Sequence, residues 1–205
     1  FTHPSPELLK GAVYGLPELR RAEVSGASLV ANPGCYSTSA ILAMAPAVKA
    51  GLIEGDIIVD SKSGISGAGR TLSMTSHFAE ANESVGAYSL EGHRHLPEMV
   101  QELSALGGGN PIMVTFLPHL VPMSRGILSS CYATLVGDSP PAVAEVRQIY
   151  RDFYRGESFV KVVEAAPQTK HTWGSNLCLI YPAIDQRTNR LIVISCLDNL
   201  VKGLS

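Results

Sequence analysis

Asn32-Pro33-Gly34-Cys35-Tyr36-Ser37-Thr38 stands between a short apolar stretch, 28–31, and an amphipathic one running from Thr38 to Lys49. Ser39-Ala40-Ile41-Leu42-Ala43-Met44 reads as a helix, so Cys35 falls at or just before a helix N-terminus. The small Gly34 leaves room at the cysteine. The unpaired N–H groups and the dipole of a helix start favour negative charge. The expectation is therefore a thiol of lowered pKa, enriched in the reactive thiolate. On this reading Cys35 is a nucleophile, and a buried structural cysteine is the competing reading.

Outward from that turn, residues 1–30 hold helix pieces, a turn at Tyr14-Gly15-Leu16-Pro17-Glu18 and a short strand leading into the cysteine. The helix after Cys35 meets a kink or stop at Pro46. Asp56-Ile57-Ile58-Val59-Asp60 reads as a strand, followed by a glycine-rich loop at 63–69. Residues 71–92 are polar and irregular with Tyr88 as their anchor, and Pro97 to Leu103 is helical. Strands follow at Ile112–Phe116 and Ile127–Val136. Pro140-Pro141 then opens a helix with Val143, Val146, Ile149, Tyr150 and Phe153 on one stripe. A short strand (Phe159–Val163) precedes a hairpin of Asn176–Asp185 and Leu191–Leu197. Asp198 to Ser205 reads as a helix cut short.

Hairpins with helices between them, and no regular βα alternation, predict an α+β fold. Its sheet should be mixed and largely antiparallel, with helices packed on one face. No glycine-rich dinucleotide fingerprint follows a strand, so no Rossmann domain is expected within these residues.

The 205 residues are 45% hydrophobic, enough for a full core, and the formal net charge of −2 gives no electrostatic case for nucleic acid. No apolar run approaches the ~20 residues of a membrane span, and the first residues lack the marks of a signal peptide. Cys35, Cys131, Cys178 and Cys196 show neither CxxC nor metal-ligand spacing. A reducing, cytoplasmic setting is expected. Phe1 in place of an initiator Met leads us to expect a piece of a longer chain.

Two further segments carry candidate chemistry. Glu91-Gly92-His93-Arg94-His95-Leu96-Pro97-Glu98 places two histidines two apart, on one side of the chain if that stretch is extended. A metal pair, an acid or base serving Cys35, and ordinary polar residues are the three readings. No third ligand cluster accompanies the pair, and Glu98 is the only nearby carboxylate at helical spacing from His95. A catalytic thiol works with an imidazole that moves protons. The other segment, Ser63-Gly64-Ile65-Ser66-Gly67-Ala68-Gly69-Arg70, lets backbone approach a ligand closely. Its N–H groups could cup a phosphate or carboxylate beside the Arg70 fork. Pro122-Met123-Ser124-Arg125-Gly126 is a second small loop with an arginine, and the two together suggest a small anionic substrate.

These motifs, with Gly174-Ser175-Asn176 and Asp198-Asn199-Leu200-Val201-Lys202-Gly203, follow one another over essentially the whole chain in the order of a known family. The chain closely resembles the N-acetyl-γ-glutamyl-phosphate reductases of the semialdehyde-dehydrogenase group. The resemblance implies a catalytic and dimerisation domain at 31–205, like the C-terminal domain of glyceraldehyde-3-phosphate dehydrogenase. Residues 1–30 would be the segment connecting it to an N-terminal NADP-binding Rossmann domain. The implied reaction is NADPH-dependent reduction of an acyl phosphate to a semialdehyde, in arginine biosynthesis, through a thioester on Cys35. His93, slightly preferred, or His95 would move the proton. Arg70, Ser124, Arg125 and Glu98 are expected at the substrate. Ser63, Gly64, Ser66, Gly67 and Asn199 resemble the parts that meet the nicotinamide end of NADP. No metal is implied. Self-association as a dimer or tetramer is expected, and this chain alone should be inactive.

Three rivals stand beside this reading. One is the same chemistry on an aminoadipyl-type acyl phosphate of lysine biosynthesis. Another is a cysteine hydrolase, although no tryptophan-flanked cysteine motif of the papain kind is present. The last is a dimerisation module without activity of its own.

Overall fold

The computed structural model describes residues 4–109, 111–137 and 139–204; Phe1, Thr2, His3 and Ser205, part of the reading of the two ends above, lie outside the described residues. The chain opens with α1 (Pro6–Leu9), β1 (Val13–Tyr14), α2 (Pro17–Ser25) and β2 (Val30–Ala31), then enters α3 (Cys35–Lys49) and β3 (Ile53–Gly64). Next come α4 (Phe78–Ala81), β4 (Gly86–Ala87), α5 (Leu96–Leu106), β5 (Met113–Val121) and β6 (Ile127–Leu135). The last elements are α6 (Val143–Phe153), β7 (Val160–Val162), β8 (Cys178–Asp185) and β9 (Arg190–Leu197), and a 3-10 turn, Lys202–Leu204, ends the described chain.

Seven strands form one sheet in the order β4-β5-β3-β6-β9-β8-β7. β3 runs parallel to β5 and β7 to β8, while the other neighbours are antiparallel. This is the mixed, largely antiparallel α+β sheet that the hairpin pattern predicts. Period-two alternation gives each central strand two faces. Ile57, Val59, Cys131, Ala133, Leu191 and Val193 face the helices and are fully or almost fully buried. α3 packs across β6, β9 and β3, flanked by α5 and α6. On the opposite face Ile58, Leu128, Tyr132, Leu179, Ile192 and Ile194 remain partly exposed.

Three expectations change. The strand read as Asp56–Asp60 runs from Ile53 to Gly64. Its second half escaped notice because its buried positions are serines. Ser61, Ser129 and Ser195 lie side by side across β3, β6 and β9. Ser61 Oγ lies 2.7 Å from Ser129 Oγ, while Ser39 Oγ on α3 is 2.9 Å from Ser129 Oγ and 3.0 Å from Ser195 Oγ. Buried hydroxyls that satisfy one another avoid the penalty of an unpaired polar group, and their small size lets α3 approach the sheet closely.

Nor does α3 stop at Pro46. A proline inside a helix frees the carbonyl four residues earlier, here that of Leu42. The Tyr154 hydroxyl donates to that carbonyl at 2.5 Å, and Tyr150 donates to the next one, Ala43 O, at 2.9 Å. Two tyrosines at the end of α6 thus carry α3 through to Lys49. The C-terminal residues read as a helix cut short form a turn and the Lys202–Leu204 3-10 helix instead.

Residues of the first segment are bonded firmly to the rest. Arg20 Nε lies 2.7 Å from Glu102 Oε2 on α5. Glu18 forms an ion pair with Lys202, both side chains almost fully buried.

Candidate active site

Cys35 is the first residue of α3, and Gly34 caps the helix in extended conformation, with φ −70° and ψ 149°. Glycine offers no capping side chain, so neighbours fix its backbone. The Gly34 N–H donates to Glu98 Oε2 at 2.9 Å, and the Gly34 carbonyl accepts from Thr38 N at 2.8 Å and Thr38 Oγ1 at 3.1 Å. Two close approaches require glycine here. A Cβ on Gly34 would lie 2.4 Å from His95 Nε2, and one on Gly203 would lie 2.7 Å from Cys35 Cβ.

The thiol does not have the lowered pKa expected of a helix start. Burial pushes it up, outweighing the N–H groups of Tyr36 and Cys35 and the Arg94 charge, while Glu98 adds to the rise. Desolvation of a thiolate wins because the sulfur sits partly buried against the core. Cys131, Cys178 and Cys196 are fully buried in strands, with burial pushing each thiol to about 12. All four cysteines are unpaired.

The two histidines do not lie on an extended segment. His95 adopts helical geometry as the residue before α5, and the turn brings its ring centroid 4.6 Å from that of His93, edge to face. The His95 N–H donates to His93 Nδ1 at 3.1 Å. In a neutral His93 this places the ring proton on Nε2. Burial, aided by Arg94, lowers the His93 pKa; burial, His93 and Arg94 lower that of His95 to about 4. His95 is 8% exposed and its Nδ1 is buried without a hydrogen-bond partner. His93 instead borders a cavity of about 760 Å³, together with Arg94, Tyr88, Gly67 and Ala68. The Tyr88 hydroxyl donates to Tyr36 Oη at 3.1 Å, and Tyr36 donates in turn to the carbonyl of His119 at 3.2 Å.

The two small loops join each other. The N–H groups of Gly64, Ile65 and Ser66 donate to the carbonyls of Gly126, Met123 and Ser124 at 3.0, 2.9 and 3.0 Å. A Cβ on Gly64 would lie 2.6 Å from Arg125 N. Asn199 is buried between the loops: its Oδ1 accepts from Gly126 N at 2.6 Å and its Nδ2 donates to Ser66 Oγ at 3.0 Å. Ser63 is buried, with its hydroxyl on Gly64 O at 3.0 Å. Of the five residues expected at the nicotinamide, Gly67 borders the cavity; Ser63, Gly64, Ser66 and Asn199 are bound up in holding that loop.

The expected substrate residues divide similarly. Arg125 Nη2 donates to Asp198 Oδ1 at 3.0 Å, and the buried Asp198 also accepts from Gly174 N at 2.7 Å and Leu200 N at 2.8 Å. Arg125 therefore has a structural carboxylate for a partner. Ser124 contributes its carbonyl to the loop junction, and Glu98 Oε2 is taken by Gly34 and by the Tyr14 hydroxyl, at 2.8 Å. Arg70 is exposed and does not border the cavity. Arg94, embedded in a motif read for its histidines, is the arginine at the cavity. The alternation of one cation between two imidazoles was the available signal. Among the described residues, no group of three or more His, Cys, Asp or Glu side chains could hold a metal ion.

The family model for the semialdehyde dehydrogenase dimerisation domain matches residues 35–199. An N-acetyl-gamma-glutamyl-phosphate reductase of Dehalococcoides mccartyi is 61% identical over 203 residues, which are 99% of this chain and 59% of that protein. A reductase of the same name from Geobacter metallireducens is 55% identical over 98% of this chain and 58% of its own length. The chain thus spans somewhat under three fifths of these curated relatives. Among solved structures, aspartate semialdehyde dehydrogenase II from Vibrio cholerae shares the fold with a TM-score of 0.71 at 17% identity, covering 95% of this chain and 65% of that one.

Proposed function

The chain belongs to the semialdehyde dehydrogenase family, through its dimerisation domain, and from that premise we propose that it is the catalytic half of an N-acetyl-γ-glutamyl-phosphate reductase. Residues 1–30 would connect it to a Rossmann domain, and 31–205 would carry catalysis and dimerisation. The observation that carries the reading is Cys35 at the start of a buried helix, where the charge of Arg94 acts on its thiol while Arg94 and His93 border the cavity.

The Cys35 sulfur attacks the acyl carbon, the carbon–oxygen bond to phosphate breaks, and inorganic phosphate leaves a thioester on the enzyme. Because burial raises the thiol, the loss of its proton to solvent before attack leans on Arg94, the cation that favours the thiolate. Arg94 also suits the anionic groups of the substrate. His93, neutral and carrying its proton on Nε2, enters as a donor to the oxygen that becomes negative as the thiohemiacetal forms. It recovers that proton as the carbon–sulfur bond breaks and the aldehyde leaves, with Cys35 released as the thiolate. NADPH, when bound, supplies the hydride that reduces the thioester. Gly67 at the cavity edge fits the nicotinamide end, with Ser66 and Asn199 holding its loop in place. Phosphate and adenine contacts, which give most dinucleotide affinity, belong to a βαβ motif. We therefore expect this chain alone to bind NADP weakly and not to turn over.

The partly exposed apolar sheet face supports self-association. No helix of the described residues is long and apolar enough to cross a membrane. The four unpaired thiols suit a reducing compartment, and a cytoplasmic enzyme is part of the proposal. The test is Cys35→Ala in the full-length enzyme. It should abolish reduction of the acyl phosphate while leaving NADP binding intact; residual turnover at the wild-type rate would refute the reading.

A further inference from the structure

We propose that Glu98 is the positioning residue of the nucleophile, one of its carboxylate oxygens fixing the backbone of Gly34 and being fixed in turn by Tyr14. Gly34 is the hinge on which Cys35 hangs, and glycine is the residue least able to hold its own conformation. Its carbonyl is secured within α3 by Thr38. Its N–H would be one of the unsatisfied donors of a helix start, and Glu98 Oε2 takes it at 2.9 Å. The same oxygen accepts the Tyr14 hydroxyl at 2.8 Å, a bond that reaches across 84 positions of sequence. Charge-assisted bonds of this kind are about twice as strong as neutral ones.

The first turn of α5 grips Gly34 from two sides. Glu98 holds its N–H, and the His95 ring lies against its Cα, where a Cβ would come within 2.4 Å of Nε2. Glu98 also places a negative charge at the anion-favouring end of α3, the end where a thiolate would otherwise gain most. The charged and titratable groups acting on the thiol are Arg94, which favours the thiolate, Glu98, which opposes it, and the phenols of Tyr36 and Tyr88. The imidazoles of His93 and His95 lie in the same cluster, neutral near pH 7. The arrangement gives up some thiolate stability for one fixed orientation of Cys35.

The proposal rests on reading Cys35 as the nucleophile, and its test separates the two. In the isotopically labelled chain, hydrogen exchange of the Gly34 amide is measured together with the pH profile of Cys35 alkylation by iodoacetamide. Glu98→Ala should speed Gly34 exchange about tenfold or more, as loss of a charged acceptor implies. Glu98→Gln keeps an acceptor and should leave exchange within a few-fold of wild type, while moving the alkylation midpoint down by about half a pH unit. Tyr14→Phe should give an intermediate gain in exchange. If Glu98→Ala does not fold, the Gln and Phe variants decide. Gly34 exchange unchanged in Glu98→Ala or Tyr14→Phe, or an alkylation midpoint unchanged in Glu98→Gln, overturns the proposal. A Cys35 inert to alkylation in every variant would count against the nucleophile, with Gly34 exchange still judging Glu98.

Discussion

The imidazole of His95 lies so close to Gly34 that a Cβ on the glycine would come within 2.4 Å of Nε2. That separation is far below ordinary van der Waals contact, so one residue's size depends on the other's ring. Gly34→Ala must push the ring away or shift the start of α3. Overpacking of this kind costs about 1–3 kcal/mol. Chemical denaturation should report a loss in that range, and full-length turnover should fall with it. A variant as stable and active as wild type would mean the ring moves aside freely.

Acid stability follows from the same ring. Burial lowers the His95 pKa from 6.5 to about 4. An unfolded chain takes up a proton as pH falls through 6.5, whereas the folded chain resists until about 4. Stability from this source is complete above the higher value and declines on acidification towards the lower one. The decline amounts to up to about 3 kcal/mol. Urea denaturation of His95→Asn at pH 7 and pH 4.5 should show a smaller difference than wild type. An equal difference would assign the acid sensitivity elsewhere.

Among the cysteines, Cys35 should alkylate first, since the other three are fully buried and their thiols are pushed to about 12. Because its own thiol is raised rather than lowered, its rate should keep climbing through pH 9 instead of levelling near neutrality. Brief iodoacetamide treatment with peptide mapping checks both points. A plateau by pH 7 would restore the low-pKa thiolate that the helix start alone suggests.

Asn199→Ala should release the two loops from each other by removing the acceptor of Gly126 N and the donor to Ser66. Leaving a buried N–H unpaired costs about 1–3 kcal/mol. A lowered melting temperature with faster proteolysis near 65–70 is the expected pair of results. Fast proteolysis in the wild type as well would show that Asn199 holds nothing.

Replacing Ile192 by Lys on the half-exposed sheet face should weaken self-association and leave the fold intact, because the side chain points away from α3. Analytical ultracentrifugation at tens of micromolar should show more monomer than wild type. An unchanged distribution would move the contact to another surface.

How much was legible varies with the kind of force involved. The α6 stripe and the β8–β9 hairpin announce themselves through apolar periodicity, and both form as read. The second half of β3 did not, because its inward positions are serines: Ser61 bonds to Ser129 on β6, and Ser63 to the carbonyl of Gly64. The length of α3 depended on Tyr154 and Tyr150, more than 100 residues away in sequence. At the site, the residues on either side of Cys35 meet the two histidines: Gly34 lies against the His95 ring, and Tyr36 has ring contacts with both. Arg125 reads as a ligand residue because it sits in a small polar loop, and Asn199 through the family resemblance alone. Their partners, Asp198 and Gly126, become neighbours only through the fold. The thiol's pKa was misjudged for the same reason: a helix start is visible in sequence, whereas burial is not.

The central claim is that Cys35 carries the acyl group. The most direct measurement is intact-mass and peptide analysis of the full-length enzyme mixed with N-acetyl-γ-glutamyl phosphate in the absence of NADPH, then quenched in acid. One acyl group per subunit on the peptide containing Cys35, with an equal amount of phosphate released, is the predicted result. Phosphate release with no adduct, or an adduct on another residue that persists in Cys35→Ala, would contradict it.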